Sequence, residues 1–144
     1  MAETHRLAAI GPLALPHRTR NWAEVDGFKF PPNSTFMSNL QFIMRDPKNF
    51  INPESFNPGR FIGEDGRYKK HPALVPFGIG KRQCMGEALA RNEVLLFTVG
   101  LIQRLAFLPP AGGPRPDPED YHVGVTRIPN DFHVRIVQNE HSTT

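Results

Sequence analysis

Proline and glycine set the first limit on what this chain can fold into. Fifteen prolines and twelve glycines are spread through 144 residues, and each proline removes an amide donor and stops or kinks a helix. They imply many turns and confine sustained amphipathic periodicity to one region after Cys84. The length is enough for one ordinary domain with a core, but a self-sufficient helical domain usually shows more periodicity than this.

Between the breakers a coarse order is legible. Residues 1–10 favour a helix stopped by Gly11-Pro12. At about two turns it needs packing partners, because isolated helices below ~12–15 residues are marginal in water. Residues 23–39 read as two short hairpins, with turns at Asp26-Gly27 and at Pro31-Pro32-Asn33-Ser34. A brief helix through "LQFIMRD" ends at Asp46-Pro47. Residues 49–70 are rich in turn residues and read as an ordered but irregular loop held by its aromatics. After a glycine-rich loop at residues 76–86, Leu89, Val94, Leu96, Phe97, Leu101 and Leu105 alternate with Glu87, Arg91, Gln103 and Arg104, which predicts a long helix over 87–107. It is apolar over most of its middle and is expected to be buried. Residues 108–138 read as a Pro/Gly linker and a terminal hairpin, with Pro129-Asn130-Asp131 dividing two β-prone runs. Nothing repeats internally.

A net charge of +3 and a pI near 9.4 allow an acidic protein partner or an anionic membrane surface, but no long Lys/Arg run points to nucleic acid. The first twenty residues lack the layout of a signal peptide, since Pro12 and Pro16 break their apolar stretch. No window approaches the ~20 apolar residues of a membrane helix, so the chain itself reads as soluble.

The chain has one cysteine, in "PFGIGKRQCMGEALARNEVLLF". It excludes an intramolecular disulfide, and a zinc site would need this single sulfur plus histidines. Cys84 lies where a glycine-rich loop opens a helix, with Arg82 two residues before it. Helix amides and nearby positive charge both favour a thiolate. Gly78, Gly80 and Gly86 remove side chains around it, so something flat or bulky can approach the backbone. Three readings stand open: a small buried hydrophobe, the ordinary fate of a lone cysteine; a nucleophile, although none of the six histidines has a spacing that names it as the base; and a metal ligand.

The order of residues Phe77-Gly78-Ile79-Gly80-Lys81-Arg82-Gln83-Cys84-Met85-Gly86 resembles the haem-binding signature F-x-x-G-x-R-x-C-x-G of the cytochrome P450 monooxygenases at every defined position. The resemblance implies haem b, with Cys84 as the proximal axial thiolate of the iron and the catalytic residue. It implies a haem propionate paired with Arg82, Phe77 packed beside the ligand loop, and Gly86 letting the next helix pass close under the porphyrin. Glu3-Thr4-His5-Arg6 matches the family's E-x-x-R on the first helix, where i and i+3 share a face. "FNPGRF" resembles the segment that supplies the third member of the family's structural triad, here Arg60, with Gly59 where an acidic residue is often found. Glu3, Arg6 and Arg60 would then hold the loop to the first helix, a folding role. Pro16-His17-Arg18 resembles the segment in which a histidine of many microsomal members meets a haem propionate, which makes His17 a cofactor contact.

By the same resemblance, Leu13, Ala14 and Val125 fall where members contact substrate, and partly apolar surroundings suit a lipophilic molecule. Arg67, Lys69, Lys70, Lys81 and Arg82 would flank the face on which an electron donor docks: NADPH-cytochrome P450 reductase, with NADPH used indirectly, and cytochrome b5. The implied fold class is mixed α and β, mainly α in the parent, and residues 1–144 correspond to a partial domain, the last third of a member. The membrane anchor, the substrate-access region and the long helix with the proton-delivering acid-alcohol pair have no counterpart in the sequence. The implied reaction inserts one oxygen atom of O2 into a lipophilic substrate, and this chain alone is expected not to turn over. A non-catalytic haem-binding fragment, or a haem-free thiol enzyme using Cys84, are the alternatives. The endoplasmic reticulum membrane, cytosolic face, is the implied location, with a mitochondrial alternative.

Overall fold

The computed structural model describes residues 1–139. They divide into two compact units, one of Ala2–Gly78 and one from Ile79 onward together with Met1. The content is mixed helix and strand, with small hairpins and one long helix.

The first unit begins with α1, Ala2–Ala8, which ends two residues before the expected limit, where Ala9 takes a left-handed φ of 38°. The second helix, α2, spans Leu40–Arg45, and the Asn39 side chain caps it by accepting from the Phe42 amide at 2.9 Å. It stops because Asp46, preceding Pro47, is held extended at φ −66°, ψ 121°. Leu40 and Met44 join Ala9, Phe50, Phe61, Leu74 and Val75 in the core of this unit. The two helices also terminate each other. Arg6 Nη1 donates to the Met44 carbonyl at 2.9 Å, and Arg45 Nη2 donates to the Leu7 carbonyl at 3.2 Å, so carbonyls near each helix end find a guanidinium on the other.

Four short strands follow one scheme. β2 (Ala23–Val25) and β3 (Phe28–Phe30) form the Asp26-Gly27 hairpin, with both turn residues at positive φ, 49° and 81°, as a two-residue turn of this hand requires. The second expected hairpin does not form. β4 (Thr35–Phe36) instead pairs with β1 (His17–Arg18), His17 opposite Phe36, so that the first hairpin is enclosed between them. Thr19 explains the choice: its hydroxyl donates to the Pro31 carbonyl at 2.8 Å and its amide to the Ser34 carbonyl at 2.9 Å, while Pro31 and Pro32 have no amide with which to continue a ladder from β3. Residues 49–70 are irregular but contain a 3-10 turn at Pro58–Phe61 and an isolated bridge between Ile62 and Tyr68. Phe50 anchors them, with ring centroids 4.5 Å from His71 and 6.3 Å from Phe61.

In the second unit a 3-10 turn at Gly80–Arg82 leads to α3, Glu87–Arg104. The helix ends three residues before the expected 107, because Leu105–Leu108 leave it as β5 and pair antiparallel with β8, Arg135–Gln138. Asn139 closes the end, its amide donating to the Arg104 carbonyl and its side chain to the Ile102 carbonyl, both at 2.8 Å. The terminal hairpin is therefore also corrected. β6 (Tyr121–Val123) pairs with β7 (Arg127–Pro129) around Gly124–Thr126, and Pro129-Asn130-Asp131 is the exit from that hairpin rather than its tip. The Arg127 guanidinium lies 3.5 Å over the Tyr121 ring and secures the pair.

The expectation of a buried long helix is not met. None of the residues of α3 is buried, and Leu89, Leu96 and Phe97 are 64%, 72% and 70% exposed. Its apolar residues run around the helix instead of forming one stripe, so a neighbour on a single side cannot cover them. No helix among the described residues is long and apolar enough to cross a membrane.

Candidate functional site

In the first unit one buried carboxylate organises three segments. Glu3 and Arg6, 1% and 0% exposed, lie one turn apart on α1. Arg6 Nε donates to Glu3 Oε2 at 2.7 Å and Arg6 Nη2 to Oε1 at 2.9 Å, a bidentate pair. Glu3 Oε1 also accepts from Arg60 Nε at 3.1 Å and from the Asn57 amide at 2.9 Å. Arg60 also donates to the backbone, giving bonds to the Ile51, Asn52 and Ser55 carbonyls at 2.6, 3.0 and 3.0 Å. It thereby fixes an irregular segment that has no ladder of its own. Arg6 lies 5.1 Å from the centre of the Phe50 ring, which ties the charges to the apolar core.

Burial pushes the Glu3 carboxyl upward, but hydrogen bonds from Arg6, from the Asn57 amide and from Arg60, with the charge of Arg6, outweigh it and hold the group below its ordinary 4.5. The unfolded chain then binds the proton more readily than the folded one. This contribution to stability is fully present above that ordinary value, which the unfolded chain has, and is lost as pH falls through the lower folded value. Urea titrations of the 144-residue chain are expected to give a midpoint that declines below pH 4.5. Glu3→Gln should flatten that decline, and an equally steep decline in the variant would assign it to other carboxylates.

On the approach to the cysteine, the Gly78 amide donates to the Val75 carbonyl at 3.0 Å, and Gly78 takes a left-handed φ of 75°. Phe77, half-buried within this turn, receives the His5 ring edge-on, centroids 5.5 Å apart at 67°. In the second unit Gly80, at φ 72°, opens the 3-10 turn, and the Gln83 amide donates to its carbonyl at 3.1 Å. Cys84 follows, exposed, with an unbridged thiol. The helix N-terminus meets it differently from the sequence expectation: the Glu87 amide bonds the Cys84 carbonyl at 3.4 Å, not the sulfur. Gly86 is the N-cap of α3, and a Cβ placed on it would meet Sγ at 3.9 Å. Glu87 closes the first turn by accepting from Gln83 and, at 2.7 Å, from Arg91. Arg82 is exposed, with no ion pair or hydrogen bond among the described residues.

These residues suit an iron porphyrin. The donor set is one soft sulfur, and no cluster of three or more His, Cys, Asp or Glu among the described residues offers the closed cage of a zinc site. The sulfur is reachable, a Cβ at Gly80 would meet nothing within 4 Å, and a guanidinium stands two residues away. Of the other candidates, His17 is exposed on β1, and Leu13 is 47% exposed and bridged to Asn39. Ala14 packs against the core of the first unit and its amide donates to Ser38. Val125, 87% exposed, sits at the β6–β7 turn of the second unit. Arg67, Lys69 and Lys70 are exposed in the first unit, Lys81 and Arg82 in the second.

Three participants escape a sequence reading. The Asn57 amide is a backbone donor with no residue signature, and Arg45 resembles any basic residue at a helix end. His5 is hidden inside E-x-x-R, at a position that motif leaves undefined. Its signal would have been a ring at a helical position beside two charged residues.

A family model described as cytochrome P450 matches residues 1–136. Cytochrome P450 2D19 of Callithrix jacchus is 43% identical over 116 residues, which cover 81% of this chain and 23% of that protein. Cytochrome P450 2D27 of Mesocricetus auratus is 41% identical over 131 residues, 90% of this chain and 26% of that protein. Cytochrome P450 2U1 of Mus musculus is 39% identical over 134 residues, 93% and 25%. The chain spans about a quarter of the length of the curated relatives it matches.

Proposed function

The chain belongs to the cytochrome P450 family, and from that premise we propose that it is the haem-binding C-terminal portion of a monooxygenase, with Cys84 as the thiolate ligand of the iron. The observation that carries this reading is the presentation of Cys84: a reachable lone thiol, after a glycine-kinked turn and before the N-cap glycine of the long helix, inside F-x-x-G-x-R-x-C-x-G. Bound there, the haem would supply the iron at which one atom of O2 enters a lipophilic substrate and the other is reduced to water.

The chain's own residues would hold that group. Arg82, which has no other ion pair among the described residues, is suited to a propionate, and His17 is a second candidate for one. Phe77 and Gly86 would shape the backbone on either side of the sulfur, while Glu3, Arg6 and Arg60 keep the first unit rigid. Leu13, Ala14 and Val125 are the proposed substrate contacts. The partners are NADPH-cytochrome P450 reductase and cytochrome b5, steered by Arg67, Lys69, Lys70, Lys81 and Arg82. The location is the cytosolic face of the endoplasmic reticulum membrane.

The test is to load the full chain with haem, reduce it, add carbon monoxide and record the Soret band. A thiolate-shifted band supports the reading; a band typical of histidine-ligated haem, or no haem uptake, overturns it. The exposed apolar surface of α3 favours a second reading, in which this chain binds haem but does not turn over by itself. Sustained NADPH-dependent product formation by the loaded chain with reductase would count against that.

A further inference from the structure

His5 lies on α1 between Thr4 and Arg6, at a position that E-x-x-R leaves undefined. It is 8% exposed, on a helix fixed on one side by the bonds of Glu3 and Arg6. Its ring meets the Phe77 ring in an edge-to-face arrangement, 5.5 Å between centroids and 67° between planes. Edge-to-face pairs are orientation-dependent, because the positive rim of one ring seeks the negative face of the other. Phe77 stands at a decisive point in the chain. Leu74 and Val75, just before it, are buried in the core, and Gly78, just after it and the last residue of the first unit, takes a left-handed φ of 75°. The orientation of one half-buried ring is thus the last side-chain constraint described in the first unit before the ligand loop begins.

We propose that His5 is a positioning residue for the ligand loop: its ring orients Phe77, and Phe77 sets the conformation from which the following residues present Cys84. As a statement about haem this rests on the function proposed above; as a statement about the loop it does not. An aliphatic side chain of similar size would fill the space beside Phe77 without orienting it, whereas a second aromatic ring would restore the edge-to-face contact.

The experiment uses the full chain and the variants His5→Leu, His5→Phe and Phe77→Leu. In the haem-loaded, reduced, CO-bound state, His5→Leu is expected to raise the share of the non-thiolate band several-fold and to shift the iron's reduction potential. His5→Phe should stay close to the unsubstituted chain in both. Thermal midpoints measured alongside should not follow that order. In the haem-free chain, the rate of Cys84 alkylation by iodoacetamide should change at least threefold in His5→Leu and remain unchanged in His5→Phe. Phe77→Leu should change both readouts in the same direction as His5→Leu, and the double variant should show less than the sum of the two single effects, as expected of residues coupled through a shared contact. The proposal is overturned if His5→Leu matches the unsubstituted chain, if His5→Phe is as impaired as His5→Leu, or if the effects simply track thermal stability. Should His5→Leu fail to fold, Phe77→Leu and His5→Phe decide alone: a Phe77→Leu chain with unaltered thiol reactivity overturns the proposal. If the unsubstituted chain gives no thiolate band, the haem reading fails, and the alkylation series still decides the role of His5.

Discussion

Replacing Cys84 with histidine in the haem-loaded chain is expected to remove the thiolate-shifted CO band completely and to substitute the band of histidine-ligated haem. A thiolate pushes electron density onto the iron in a way an imidazole does not, so the band position reports the ligand atom and not merely the presence of haem. The loop can accept the exchange, because Cys84 is exposed and Gly86 lacks the Cβ that would stand 3.9 Å from its sulfur. The chain holds one cysteine, so no second thiolate can take over. Cys84→Ala should leave the group without its protein ligand, and the bound haem should be lost on gel filtration. An unchanged spectrum in Cys84→Ala would remove the cysteine from the site altogether.

The second large effect is on folding. Arg6→Met is expected to destabilise the first unit by about 3–5 kcal/mol, the range for breaking a buried ion pair by removing one partner. Three losses coincide there, besides that of the 3.3 Å bond from Arg6 Nη2 to the Ser55 carbonyl. The Glu3 carboxylate keeps only Arg60 and the Asn57 amide, the Met44 carbonyl loses its donor, and a cation leaves its position near Phe50. Since whole domains are stable by only ~5–15 kcal/mol, urea unfolding followed by circular dichroism should show a transition at much lower denaturant, or none. Glu3→Gln combined with Arg6→Met should cost less than the two single changes together, because the buried carboxylate that Arg6→Met strands is gone and only the partly exposed Arg60 lacks its carboxylate partner. Additive losses would mean that the two residues act independently despite a separation of 2.7 Å.

What the sequence disclosed depended on whether the information was local. Asp26-Gly27 announced its hairpin because the turn chemistry lies in those two residues. The i,i+3 spacing of Glu3 and Arg6 put them on one helix face, but the spacing alone is equally that of a weak solvated pair. The shared bonds to Arg60 and Asn57 arise from a chain reversal more than fifty residues away. β1 and β4 are two residues each, too short for any periodicity, and their pairing was set by Thr19 reaching across to a proline-rich turn. Leu105–Leu108 continued an apolar run that fits helix or strand equally well, and β8 decided it from thirty residues downstream. The position of Cys84 in its loop was legible from the glycines around it. The bond of the Glu87 amide to the Cys84 carbonyl instead of the sulfur was not, since it depends on backbone torsions that residue types leave free.

The exchange of arginines between α1 and α2 bears on the order in which the chain acquires structure. Helices of seven and six residues are below the length at which helix propagation repays nucleation. Each also depends on a guanidinium 38 residues away to satisfy a carbonyl near its end. Neither helix can therefore serve as a stable early intermediate for the other. The two form together, in a step that must first meet the entropy of closing the loop between them, and the enclosed hairpin around Asp26-Gly27, wholly local, is the part of that loop able to form ahead of it.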